Sequence, residues 1–243
     1  MDWHNISCME DGGASSPGGE TSSTTRGKRR DLAELAIAYG LILIVVWTPR
    51  PWQRFLWLVA AAAVAIMISI SFDGLEAMGL RRANFFRSLW VVGAAILVAA
   101  AAILAAASLH TLHLPGTLVL FIKVYWTYAL WAGVQQFLML GFFLPRCLGL
   151  LGSRTPAAIL AAVLFAVAHL PNPLLTPITL LWGFAACRIF HRYRNLYPMA
   201  LAHAIVGITI AISVPGPVVH NMRVGLGYLT YAHDHRTTAS PQP

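Results

Sequence analysis

Long apolar runs alternate with short polar breaks along most of this chain. Seven apolar segments can be read, at about 32–48, 53–72, 89–109, 117–144, 156–170, 174–190 and 197–214. A helix needs about 20 apolar residues to cross a bilayer. The pattern therefore predicts an all-α fold, a polytopic transmembrane helix bundle of about seven spans. The third segment is rich in alanine around Gly93 and Ala99, and small residues let helix backbones approach closely. The fifth and sixth are short and joined by Pro171, Asn172 and Pro173, so the chain turns there before clearing the membrane. Between the second and third, residues 73–87 mix Arg81, Arg82 and Arg87 with Leu80, Phe85 and Phe86. That mixture predicts an interfacial amphipathic helix, with arginines at the phosphates and apolar side chains at the acyl boundary.

The flanks are different. Residues 1–31 are polar and rich in Gly, Ser and Thr, too poor in apolar surface to fold, and are read as a disordered cytoplasmic tail. The tail ends in Arg26, Lys28, Arg29 and Arg30, a basic cluster suited to an anionic leaflet. Residues 32–214 form the membrane bundle. Residues 215–243 are read as an interfacial segment with a disordered end. With the N-terminus inside, twelve Lys and Arg residues fall on the inner side, from Arg26 to Arg194, and four on the outer side, Arg50, Arg54, Arg223 and Arg236. That bias predicts a multi-pass protein of a bacterial plasma (inner) membrane, with the N-terminus cytoplasmic and the C-terminus outside.

Composition strengthens this picture and narrows the chemistry. Of 243 residues, 58% are hydrophobic and 11% charged, about half the charge of an ordinary soluble domain. The net charge of +8 does not indicate nucleic acid, because the basic residues sit beside apolar segments. Membrane lipids are the expected partners. Cys8, Cys147 and Cys187 have no paired spacing, so neither a disulfide framework nor a cysteine metal site is expected.

From Ala77 to His233 there is no aspartate or glutamate. Within this stretch, polar side chains interrupt three apolar segments: Gln135 and Gln136 on the fourth, His169 on the fifth and His203 on the seventh. Polar groups in hydrocarbon are costly and turn inward. Counted at the helical rise, the glutamines lie about 15 Å, His169 about 20 Å and His203 about 9 Å from the inner face. The expectation is one cavity opening to the cytoplasm. Taken singly, each residue also fits interhelical hydrogen bonding.

The ordered set resembles the CAAX protease and bacteriocin-processing (CPBP) family, the type II CAAX prenyl endopeptidases and lysostaphin-resistance-like proteins, over about residues 60–214. Its first motif, Glu-Glu-x-x-x-Arg with a following Gly, corresponds to Gln135, Gln136, Leu140 and Gly141. Its second, Phe-x-x-x-His, corresponds to Phe165 and His169. Its third, His-x-x-x-Asn, corresponds to His203 and Gly207. The resemblance implies intramembrane hydrolysis of a membrane-anchored or lipidated protein or peptide. A glutamate would activate water, a histidine assist, and the third motif stabilise the oxyanion. Carried over, the candidate catalytic residues are Gln135 and Gln136 in the water-activating places, His169 as acid–base and His203 on the oxyanion side.

Three departures, the Gln-Gln pair, Leu140 and Gly207, bear on activity. A carboxamide has the shape of a carboxylate but exchanges no proton near neutral pH. His169 is a group that could take one, as an imidazole titrates near neutrality. Restoring both glutamates is expected to require Leu140→Arg, so that the charge is not buried alone. The alternatives are a non-catalytic pseudoprotease that binds a membrane partner, and a small His-containing transporter or haem protein. No cofactor is expected. Zinc or haem on His169 and His203 is the competing reading, but zinc hydrolysis normally takes three protein ligands. His110 and His113 fall in an outer loop, and Asp234 in the outer tail.

Overall fold

The computed structural model describes residues 18–72 and 74–231, and among these the chain is helical, without strands. The elements are α1 (Gly18–Trp47), α2 (Trp52–Ile70), α3 (Phe85–Ser88), α4 (Trp90–Ser108) and α5 (Leu118–Gln136). A π-helical stretch, Phe137–Phe143, leads directly into α6 (Leu144–Leu151). Then come α7 (Arg154–Val167), α8 (Leu175–Tyr193), α9 (Tyr197–Ser213), α10 (Gly216–Val219) and α11 (Gly225–Leu229).

Three helical stretches are long and apolar enough to cross a membrane: Trp52–Ile70, Phe85–Ser108 and Leu118–Leu151. Arg154–Val167 and Tyr197–Ser213 are shorter apolar helices. The outer surface carries large exposed apolar side chains, including Phe55, Leu58 and Ile66 of α2, Leu97 and Leu104 of α4, and Ile122 and Leu130 of α5. A continuous apolar exterior of this kind is unsuited to water and fits lipid. The chain is an integral membrane protein. Burial grades the helices: 11% of the apolar window of α2 is buried, against 50% for Leu118–Leu151, so α2 is peripheral and α5 to α6 central.

Small residues set the tightest packing. Ala157, Ala158, Ala161 and Ala162 of α7 are buried, and against α8 a Cβ on Gly183 would lie 3.2 Å from the Ala162 Cα. Such close backbone approach is how membrane helices gain contact where no hydrophobic driving force acts between them. The π-helical stretch is central to the core: Met139, Leu140, Gly141, Phe142 and Phe143 are all buried. A helix apolar all round belongs inside a bundle.

The loops gather at two ends. At the Arg-rich end, Asn195 Nδ2 donates to the carbonyls of Arg81 (2.7 Å) and Ala83 (2.9 Å), and Leu196 N donates to Gly79 (2.9 Å). At the far end, His113 N donates to Ile212 (2.9 Å) and Gly225 N to Leu170 (2.7 Å). Asn172, fully buried, donates to the carbonyls of Val219 (2.9 Å) and Arg223 (3.1 Å) and accepts from Leu174 N and Leu175 N. One side chain thus caps α8 and holds residues 214–231 across the far end.

Two local readings change. The segment 74–84 folds as hydrogen-bonded turns, and the helix expected there is confined to α3. Gly79, at φ +85°, lies under the Phe190 ring, and Asn84 takes a left-handed φ of 58°, which breaks helical continuity. Leu80 consequently packs on the core, while Phe86 stays 83% exposed. At the N-terminal side, α1 begins at Gly18 and not at residue 32. Lys and Arg are good helix formers, so the polar stretch around Arg29 and Arg30 continues the apolar helix. Residues 1–17 and the 232–243 tail, with Asp234, lie outside the described residues.

Candidate functional site

Gln135, His169 and His203 line one cavity of about 300 Å³, together with Tyr128, Trp131, Trp182 and Gly207. They come from α5, the turn after α7, and α9. A second, more apolar cavity of about 150 Å³ lies between α1, the π-helical stretch and α7, lined by Tyr39, Ile42, Leu138 and Leu164 among others. The two share Trp131, Gln135, His169 and Val224 as walls, so Gln135 and His169 stand where the lobes meet.

The two glutamines separate in role, because adjacent helical residues point about 100° apart. Gln135 is half-buried and faces the cavities. Gln136 is fully buried, and its Nε2 lies 2.8 Å from His203 Nδ1. The amide N–H donates, so His203 Nδ1 accepts and its proton sits on Nε2. The other amide atom, Gln136 Oε1, is buried without a partner.

His169 is fixed differently. Its Nδ1 is 2.7 Å from the Phe165 carbonyl. A carbonyl only accepts, so Nδ1 carries the proton and the neutral ring keeps Nε2 as an acceptor. The Phe165 ring stands edge-on to both imidazoles, with centroids 4.8 Å from His169 and 5.7 Å from His203, and Trp182 flanks His203 at 6.1 Å. The spacing Phe165-x-x-x-His169 thus gives one ring that orients two histidines.

The direction of the cavity differs from the expectation. It runs along α9 past Val206 and Ile210 to Asn221, Met222 and Val224, hence toward the far end and under the segment that Asn172 holds. The sequence reading put its opening at the cytoplasmic, Arg-rich end. Helix depth alone gave the level of the residues but not the direction in which the cavity runs, and toward the Arg-rich end Leu140, Leu144 and Met199 are fully buried.

Residues 119–209 match the family described as Type II CAAX prenyl endopeptidase Rce1-like. Over that span the chain is similar to the Rce1-like family. All four candidate residues lie within the matched span. No curated relative and no solved structure matches the chain.

Several residues around the site, and one ion pair away from it, were not singled out by sequence. Tyr128, Trp131 and Trp182 carry no motif spacing and are recognisable only once α5 and α8 are packed. Glu34 did give a signal, being a carboxylate within an apolar segment, where a partner must be sought. That partner is Arg146, 112 residues away, whose Nε donates to Glu34 Oε2 at 2.8 Å and whose Nη2 donates to the same oxygen. Arg146 also donates to the Phe142 carbonyl at 2.8 Å and lies over the Phe142 ring. Glu34 further accepts from Arg30 and Ser71, each at 2.8 Å. Among the described residues there is no group of three His, Cys, Asp or Glu side chains able to hold a metal ion.

Proposed function

We propose that the two-lobed cavity binds a segment of a membrane-anchored protein or peptide, and that the chain hydrolyses it slowly with His169 as the base. The observation that carries this reading is the fixed tautomer of His169, whose acceptor Nε2 belongs to a residue at the junction of the lobes. In the reaction a water oxygen attacks the peptide carbonyl carbon and its proton passes to His169 Nε2. The carbonyl π electrons move onto oxygen. As the tetrahedral adduct collapses, the C–N bond breaks and the amine leaves with the proton from His169. Gln135, with one acceptor and two donor positions, orients the water but takes no proton.

The expected rate is about 10²–10⁴-fold below that of relatives with a carboxylate base, the usual contribution of general-base catalysis. The test is cleavage of a membrane-anchored or prenylated peptide by reconstituted protein. His169→Ala is expected to reduce cleavage to background, and cleavage that survives it would remove His169 from the mechanism. A non-catalytic binding role is the second reading, favoured by the Gln136–His203 hydrogen bond, which engages both side chains with each other. Peptide binding without any cleavage by the unmodified chain would establish it.

This reading keeps the Arg-rich end in the cytoplasm of a bacterial inner membrane, following the distribution of Lys and Arg. Reporter fusions at Ser15 and Thr237 are expected to report cytoplasmic and external positions. Both reporters on one side would reverse every assignment beyond the miscounted span.

A further inference from the structure

Tyr128 projects from α5 into the larger cavity, opposite α9. Its phenol lies on the face of Gly207, so that a Cβ at position 207 would collide with the hydroxyl and with the ring carbons beside it. Any residue but glycine there would expel the phenol from its place. The hydroxyl makes no hydrogen bond to any described residue, although Tyr hydroxyls enclosed in protein usually find a partner. By contrast Tyr39, which lines the apolar lobe, gives its hydroxyl to the Leu164 carbonyl at 2.9 Å. Tyr128 therefore keeps a free donor in a cavity that also holds Gln135, His169 and His203.

The geometry points to the Tyr128 hydroxyl as the donor that receives the carbonyl oxygen of the bound peptide, in the space that Gly207 leaves open. This rests on the peptide-binding reading above. When water adds to the carbonyl carbon, with its proton passing to His169, negative charge gathers on that oxygen. A neutral phenol O–H can donate to it without itself being deprotonated. A donor fixed before the reaction stabilises such charge with little reorganisation. Gly207 thus acts as the residue that admits the phenol, and α5 supplies the side-chain donor that position 207 of α9 lacks.

The test is Tyr128→Phe in the full chain, reconstituted in lipid, since the substitution keeps the ring and breaks no hydrogen bond within the protein. Thermal stability is expected to stay unchanged. For cleavage of a membrane-anchored peptide, kcat is expected to fall about 10²-fold with a smaller change in KM, as on removal of one oxyanion donor. A peptide phosphinate, whose tetrahedral anionic group stands in for the adduct, is expected to lose about tenfold or more in affinity on Tyr128→Phe. The matching unmodified peptide should change less. Phosphinate discrimination without cleavage by the unmodified chain would sustain the Tyr128 role while removing the hydrolytic reading. Unchanged kcat together with unchanged phosphinate affinity would overturn it, as would failure of the unmodified chain to bind the phosphinate at all.

Discussion

Gln135→Glu is expected to raise peptide hydrolysis by about 10²-fold or more, the range in which a positioned general base contributes. The single change is enough because the two glutamines differ in place. Gln135 is half-buried at the junction of the lobes, where a carboxylate keeps some contact with water and can share a proton with His169. Gln136 is fully buried and already bonded to His203, so a charge there cannot reach substrate water. The sequence suggested that both glutamates and Leu140→Arg would be needed together. Leu140, however, is fully buried in the π-helical core, and a guanidinium there would displace packed side chains at a cost of its own. Leu140→Arg is therefore expected to destabilise, with no benefit to Gln135→Glu. The measurement is kcat/KM on one membrane-anchored peptide, with binding followed separately. A Gln135→Glu protein that folds and binds peptide but gains no activity would mean that the cavity does not position water.

Glu34→Leu is expected to lower stability by about 3 kcal/mol, at the lower end of the cost of leaving one buried charge unpaired. The exposures decide the class of this ion pair: the side chains are 9% exposed for Arg146 and 14% for Glu34. It therefore belongs with buried pairs and not with surface pairs, which contribute about 0–1 kcal/mol. The lower end applies because a polar cavity of about 290 Å³ adjoins it, lined by Arg30, Asp31 and Ser71, where water can relieve part of the loss. Arg30 has the same acceptor at 2.8 Å but is 55% exposed, so Arg30→Ala is expected to change stability little. Replacing both partners, Glu34→Leu with Arg146→Met, should recover most of the loss, because the buried charge goes with its partner. Unfolding in detergent micelles reads all three variants. A Glu34→Leu protein as stable as the unmodified chain would show that α1 is not tied to α6 by this pair.

The helices follow from local content. An apolar run long enough to span must be helical to satisfy its backbone, so α8 was expected at 174–190 and forms at Leu175–Tyr193, and α9 at 197–214 forms at Tyr197–Ser213. The cost of polar groups in hydrocarbon similarly marked Gln135, Gln136, His169 and His203 as inward-facing, because that cost is a property of the residue and its segment. The segment 73–87 was less legible, since its composition fits an amphipathic helix while Gly79 and Asn84 take backbone angles that a helix does not. What no segment contains is its partner. The bond of Gln136 to His203 joins residues 67 apart, and that of Glu34 to Arg146 joins residues 112 apart. The meeting of Tyr128 with Gly207, and the direction in which the cavity runs, likewise depend on how α5 and α9 cross. Hydrophobicity acts residue by residue and is written along the chain. Hydrogen bonds and close contacts between helices require a register and a direction that only packing of the whole bundle supplies.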